Sequence, residues 1–180
     1  MCDPKPKRLR LLQAIAISTA LTLFVSALPA RSATIVNTFS DWTLYVHQNG
    51  PATICFLAAF PTVSQPTTPP RDVSLAYVSA WPKDGVKSEI SFKIGVPLKK
   101  ATEPTASITG QTASSYKLFV RDDRAFVADA TQELKLLDAL KKGSKLTVQA
   151  ISGDGTSITD TYSLQGITAA LQALAGGCAP

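Results

Sequence analysis

The residues able to do chemistry are few, and their spacing constrains what they can do. The best carboxylate pairs are Asp122 with Asp123 and Asp154 with Asp160. Two carboxylates can run a hydrolysis or an elimination as general acid and base when they face one another several ångströms apart. They can hold calcium when further oxygens converge on the same point. Adjacent residues in a strand point to opposite faces, so Asp122 and Asp123 converge only across a turn, and the spacing of an EF-hand loop is absent. His47 is the single histidine. It stands beside the turn sequence Gln48-Asn49-Gly50-Pro51 and reads as a solvated residue, not a base. There is no nucleophile elbow, no phosphate-cradling glycine loop and no Cys/His ligand cluster. The sequence therefore predicts no enzyme, no catalytic residue, no cofactor and no metal site. A carboxylate-based periplasmic hydrolase or lyase is the alternative.

The start of the chain reads as an address. Lys5, Lys7, Arg8 and Arg10 precede a largely apolar run from Leu11 to Leu28, with small residues at Ala27, Ala30 and Ala33. That is the layout of a signal peptide, residues 1–33, with cleavage expected between 27 and 33. Of 18 basic and 13 acidic residues, Lys5, Lys7, Arg8, Arg10, Arg31 and Asp3 fall in this segment, which leaves 13 against 12. The near-neutral remainder lacks the basic footprint a nucleic-acid partner requires. No second long apolar run follows, so the mature chain is expected to stay out of the membrane.

Residues 34–180 are the size of one domain with its own core. Of three cysteines, Cys2 leaves with the signal peptide. Cys55 and Cys178 remain, an even number in an oxidising compartment, which predicts a structural disulfide between them. Closing so long a loop is worth up to about 4–5 kcal/mol in the chain-entropy model. Two cysteines cannot build a zinc site unaided.

Short runs of alternating or β-branched character supply the rest. Thr43–Val46 and Thr53–Phe60 read as strands around the Asn49-Gly50 hairpin signal. Pro61 to Arg71 holds four prolines and three threonines, so this loop is expected outside the sheet. Val73–Trp81 is apolar on both faces, as in mid-sheet. Glu89–Val96 alternates cleanly, with Ile90, Phe92 and Ile94 inward and Glu89, Ser91 and Lys93 outward. Further strands are expected at 106–108, 116–120, 125–128, 145–151 and 156–162, and Arg121-Asp122-Asp123-Arg124 reads as a hairpin tip. Two helices are predicted. The first, about 130–142, has Thr131 as N-cap and Gly143 as its stop; Leu134, Leu137, Leu136 and Leu140 form its apolar face. The second, about 164–175, has Ser163 as N-cap, with Leu164, Ile167, Leu171 and Leu174 inward and Gly176-Gly177 at its end. Strands at short spacing with hairpin connections predict a mainly β fold, an antiparallel β-sandwich or open barrel with two peripheral α-helices.

Several blocks resemble, in order and spacing, the invasion-associated locus B family of Gram-negative envelope proteins. They are FSDWTLY, ICF around Cys55, WPKDGVKSEISFKIGVPLKK, KLFVRDDRAFVAD, ELKLLDALKKGSKLTV and DTYSLQGITAALQAL ending in Cys178. Val46, Phe119 and Phe126 stand where many members carry further thiols, so the chain resembles the cysteine-poor branch. The resemblance implies an exported protein, periplasmic, outer-membrane-associated or secreted, linked to host-cell invasion or to the envelope. A non-enzymatic module that binds an envelope or host protein is expected, with a purely structural envelope role as the other non-catalytic reading. The contact area would come from a flat sheet face or the 61–71 loop. Trp42, Trp81, Asp122 and Asp123 are the candidate surface residues, although a core or rim position suits a strand-end Trp81 better.

Overall fold

Turn residues cut the chain into hairpins. In the computed structural model, which describes residues 32–50, 52–110 and 113–176, β1 (Thr34–Phe39) turns at Ser40 into β2 (Trp42–Asn49). The chain returns past Gly50 as β3 (Ala52–Ala59). A short β4 (Val63–Gln65) precedes β5 (Leu75–Trp81), a one-turn 3-10 helix at Pro82–Asp84 and β6 (Val86–Lys93). Then come β7 (Thr105–Gly110), β8 (Ser114–Arg121), β9 (Arg124–Val127), α1 (Ala130–Lys142), β10 (Gly143–Ile151), β11 (Ser157–Ser163) and α2 (Ile167–Ala175).

All 11 strands lie in one sheet, in the order β1-β2-β3-β5-β6-β9-β8-β7-β10-β11-β4, and every pairing is antiparallel. Eight steps separate β2 from β11, which in a flat sheet would be about 38 Å. Yet the Trp42 indole N–H donates to the Ser163 carbonyl at 3.1 Å, and the Asp41 amide reaches the Gln165 carbonyl. The sheet therefore curls until its two halves meet. It stays open, because β1 and β4 do not pair. Of the two architectures the alternation allowed, the open one is present.

The inner face of the curl carries a single core. Trp42, Leu57, Val78, Ile90 and Phe92 come from one half of the sheet, Ile108, Leu146, Val148 and Tyr162 from the other. The helices fill the space between. From α1 come Leu136 and Leu140, from α2 Ile167, Ala170, Leu171 and Leu174. Leu164, just before α2, is buried as its spacing required. Leu134, expected on the apolar face of α1, is 64% exposed instead. The inward stripe of that helix runs through Glu133, Leu136 and Leu140.

Both helix starts differ from expectation. Asp129, not Thr131, caps α1; its carboxylate accepts the Gln132 amide at 2.9 Å. The helix begins where the last β9 residues release the chain, and Asp129 is the first extended residue with a suitable side chain. Ser163 remains in β11, and its hydroxyl accepts the Gln165 amide within a turn. The cap of α2 is Gly166, with φ 85°. A Cβ there would lie 2.0 Å from the Phe39 carbonyl oxygen, so the close approach of β1 to this turn requires glycine.

Two further differences concern the sheet edges. β1 was not anticipated, because a register shift between Ile35 and Asn37 breaks the period-two pattern at a bulge. The 61–71 segment is not wholly outside the sheet. Its residues Val63–Gln65 pair with Thr159–Thr161 of β11. Proline is tolerated around them because an edge strand bonds on one side only.

Candidate functional site

Period-two alternation sends every second residue to the outer face, and on one half of the sheet that face is aromatic. Register places Tyr45 of β2 opposite Phe56 of β3. Tyr77 of β5 lies opposite Ser91 of β6, Ser91 opposite Phe126 of β9, and Phe126 opposite Phe119 of β8. The rings meet across strands. Tyr45 and Phe56 stack with centroids 5.1 Å apart and planes 10° from parallel. Phe56 meets Tyr77 edge-on at 5.9 Å, and Phe119 stacks on Phe126 at 5.5 Å. Rings stacked along such a row stand up from the sheet, so they present edges to the outside. Phe119 is 40% exposed and the others are half-buried.

Cations flank this row. The Arg124 guanidinium lies over the Tyr77 ring, 5.2 Å from its centroid, and that of Arg121 over Phe126 at 5.7 Å. Two lysines on the same face are neutralised within the chain. Lys93 pairs with Asp72 at 2.6 Å and Lys117 with Glu103 at 2.7 Å. Those hydrogen bonds raise both ammonium pKa values above the ordinary lysine range and lower that of Asp72.

The carboxylates do other work. Asp160 is fully buried and ion-paired with Arg71, whose side chain is 8% exposed. The Ser64 hydroxyl donates to the same carboxylate at 2.6 Å. Arg71 also donates to the Ser74 hydroxyl and the Ile94 carbonyl. Beside this pair the Tyr162 hydroxyl is buried without a hydrogen-bond partner among the described residues, and desolvation, then the Asp160 charge, push its pKa far above the usual tyrosine value. Asp154 belongs to an exposed turn, accepting from the Ser152 hydroxyl and the Thr156 amide, bonds that hold its pKa below the ordinary range. Asp160 and Asp154 are thus held in separate networks, one buried under Arg71 and one in an exposed turn.

Asp122 and Asp123 form the β8–β9 turn, with Asp122 at φ 54°. Their backbone is what the fold uses. The Asp122 carbonyl accepts the Leu98 amide at 2.8 Å, and that of Asp123 the Ile94 amide at 2.9 Å. Trp42 is 1% exposed, so it is a core residue and cannot offer the contact surface expected of it. Its ring is drawn inward by the β2 parity and its N–H is satisfied by β11. Trp81 is half-buried at the end of β5. His47 lies within β2, half-buried, opposite Ile54.

Glu133 shows how α1 is fixed. β9 covers only Ser91–Lys93 of β6, and the Glu133 carboxylate takes the next free amide, Ile90 N–H, at 3.0 Å. Burial raises its pKa above the ordinary glutamate value, against the lowering effect of its hydrogen bonds from Ile90 and Ser88.

Cys55 is 1% exposed on the inner face of β3, and α2 packs against β2 and β3. Cys178 and the expected signal peptide lie outside the described residues. Pro66, Pro69 and Pro70 of the 61–71 loop line a groove of about 290 Å³ with Val96, Pro97 and Ile158. Among the described residues no three His, Cys, Asp or Glu side chains come together to hold a metal, and no helix is long and apolar enough to cross a membrane.

The aromatic row was legible only in part. Phe56, Tyr77, Phe119 and Phe126 read as strand formers, but parity puts them on the face that carries Glu89, Ser91 and Lys93. Aromatics recurring on a polar face were the available signal.

The described residues thus form a mainly β protein, an open antiparallel sheet wrapped round two helices with a row of aromatic rings on its outer face. The chain belongs to the invasion associated locus B (IalB) family, whose model matches residues 42–175. Comparisons with curated proteins and with solved structures returned no match.

The buried pair generates a stability prediction. Asp160→Asn leaves Arg71 buried with an uncompensated charge and is expected to cost about 3–5 kcal/mol. Asp154→Asn, in an exposed turn, is expected to cost far less. Urea midpoints at constant m-value measure both; a loss below about 1 kcal/mol for Asp160→Asn would remove the pair from its structural role.

Proposed function

We propose that this chain is an exported, envelope-associated protein that acts by binding a protein partner, not by catalysis, through the outer face of β2, β3, β5, β9 and β8. The observation that carries this reading is the cross-strand row Tyr45, Phe56, Tyr77, Phe126 and Phe119 with two arginines over its rings. Aromatic residues and arginine are enriched at the cores of protein interfaces and dominate their energetics. Their rings are already ordered by one another, so little side-chain entropy is lost on docking. Family membership supports the envelope setting. The edge-on rings disfavour a sugar platform, which needs exposed ring faces.

Photocrosslinking in intact cells tests this. With benzoylphenylalanine at Phe126 or Tyr45, the same protein partner is expected at both positions, and none at Gln149, exposed on β10. Crosslinks at Gln149 alone, or at none of the three, would contradict the reading.

Export and the staple belong to the same proposal. Residues 1–33 are a signal peptide, and Cys55 bonds to Cys178. In support, Cys55 faces the space that α2 fills, and α2 ends at Ala175, three residues before Cys178. Intact-mass measurement of protein from the envelope fraction, without reductant, is expected to give a chain beginning between residues 28 and 34. It should be lighter by two hydrogens than the reduced form. An intact Met1 start, or two alkylatable thiols, would contradict it.

A further inference from the structure

We infer that Arg121 and Arg124 read carboxylates, and that the segment docking on the outer face is acidic as well as apolar. This deepens the reading above and rests on it: the same face is the contact surface, and the inference names the chemistry of its occupant.

Arg121 and Arg124 are direct register partners across β8 and β9, so both side chains leave the sheet on one face. Lys93 is the next residue in register, opposite Arg124 on β6. Like charges directly opposite one another destabilise a strand pair. The chain answers this for Lys93 with Asp72, and Lys117, which faces Thr105, is paired with Glu103. It does not do so for the two arginines. Among the described residues neither has an ion-pair partner, although Asp122 and Asp123 stand between them in the chain.

Instead each guanidinium lies against a ring. A cation–π contact restrains the guanidinium beside the ring and uses none of its five N–H donors. The planar fork of those donors is the group that takes a carboxylate through two parallel hydrogen bonds. The repulsion between the pair is relieved when such an anion arrives. Beside the two guanidinium groups lie the edges of Phe126, Phe119 and Tyr77, an apolar strip that crosses the sheet from β8 to β5. An extended acidic segment with interspersed apolar side chains matches both features. An anionic lipid surface is the poorer match, because it is read by unpaired lysines as a field of charge, and the two lysines here are spent on internal partners.

The test uses fluorescence anisotropy on the protein isolated from the envelope fraction. The probes are a short labelled peptide alternating glutamate with phenylalanine, the same peptide with glutamine for glutamate, and vesicles of phosphatidylglycerol. The acidic peptide is expected to bind, more weakly as salt rises, and the glutamine peptide to bind at least about tenfold more weakly. Arg121→Gln with Arg124→Gln should weaken the acidic peptide by about tenfold or more, while Lys117→Gln changes it less than about twofold. Should the double variant melt early, the single Arg121→Gln, at an exposed position, is expected to give about a fivefold loss. Equal binding of both peptides, undiminished binding by the arginine variants, or binding to vesicles but not to peptide would overturn the inference. No peptide binding at all would overturn it too. A partner crosslinked at Phe126 would in that case still stand, so the two readings fail separately.

Discussion

A guanidinium and a carboxylate sealed from water tie one end of this curled sheet to its middle. Asp160 sits on β11, next to the sheet's last strand; Arg71 comes from the loop between β4 and β5; and the Ile94 carbonyl that Arg71 also engages ends β6. Three segments distant in the sheet order meet at one side chain. Desolvating both charges is costly, and only the bidentate geometry with the hydroxyls of Ser64 and Ser74 offsets it. Such a network specifies one closure among the several a long sheet could adopt. Around it the Leu98–Ser152 bridge, the bond from Lys99 to Ile151 and that from Gly153 to Pro97 tie the same region with backbone alone.

Closure decides where function can sit. Once the sheet curls, its inner face is taken by the core and by α1 and α2. The carboxylates that could have run acid–base chemistry serve a salt bridge, a turn and a hairpin tip. The outer face of the first half carries rings at positions that solvent-facing polar residues could fill. It also carries two arginines that oppose one another with no ion-pair partner among the described residues. Stability alone favours neither choice; the proposed partner would account for both.

How much of this the sequence disclosed depended on range. Local patterns reached the mainly β class, most strands, the span of α1 and the buried residues of α2, because alternation and helical spacing act over a few residues. They missed what depends on distant neighbours. The parity of Trp42 could be read, but its burial depended on β11 reaching it across the curl. Gly166 fell inside the expected second helix, and its role as a cap shows only once the Phe39 carbonyl oxygen stands 2.0 Å from its missing Cβ. Asp160 lies 89 positions from Arg71 in the chain, so no window of sequence could pair them. The stacked row spans six strands, counting β6 with its buried Ser91, from β2 to β8 in sheet order. It exists only through register.

The central claim is that the outer aromatic face is where this protein meets its partner. Carbene footprinting measures it residue by residue, comparing the isolated protein with the protein in its native envelope. Tyr45, Phe56, Tyr77, Phe119 and Phe126 are predicted to label in isolation and to lose labelling in the envelope, while Pro66, Pro69 and Leu134 label equally in both. Protection confined to the proline loop or the helices, with the aromatic row unchanged, would contradict the account.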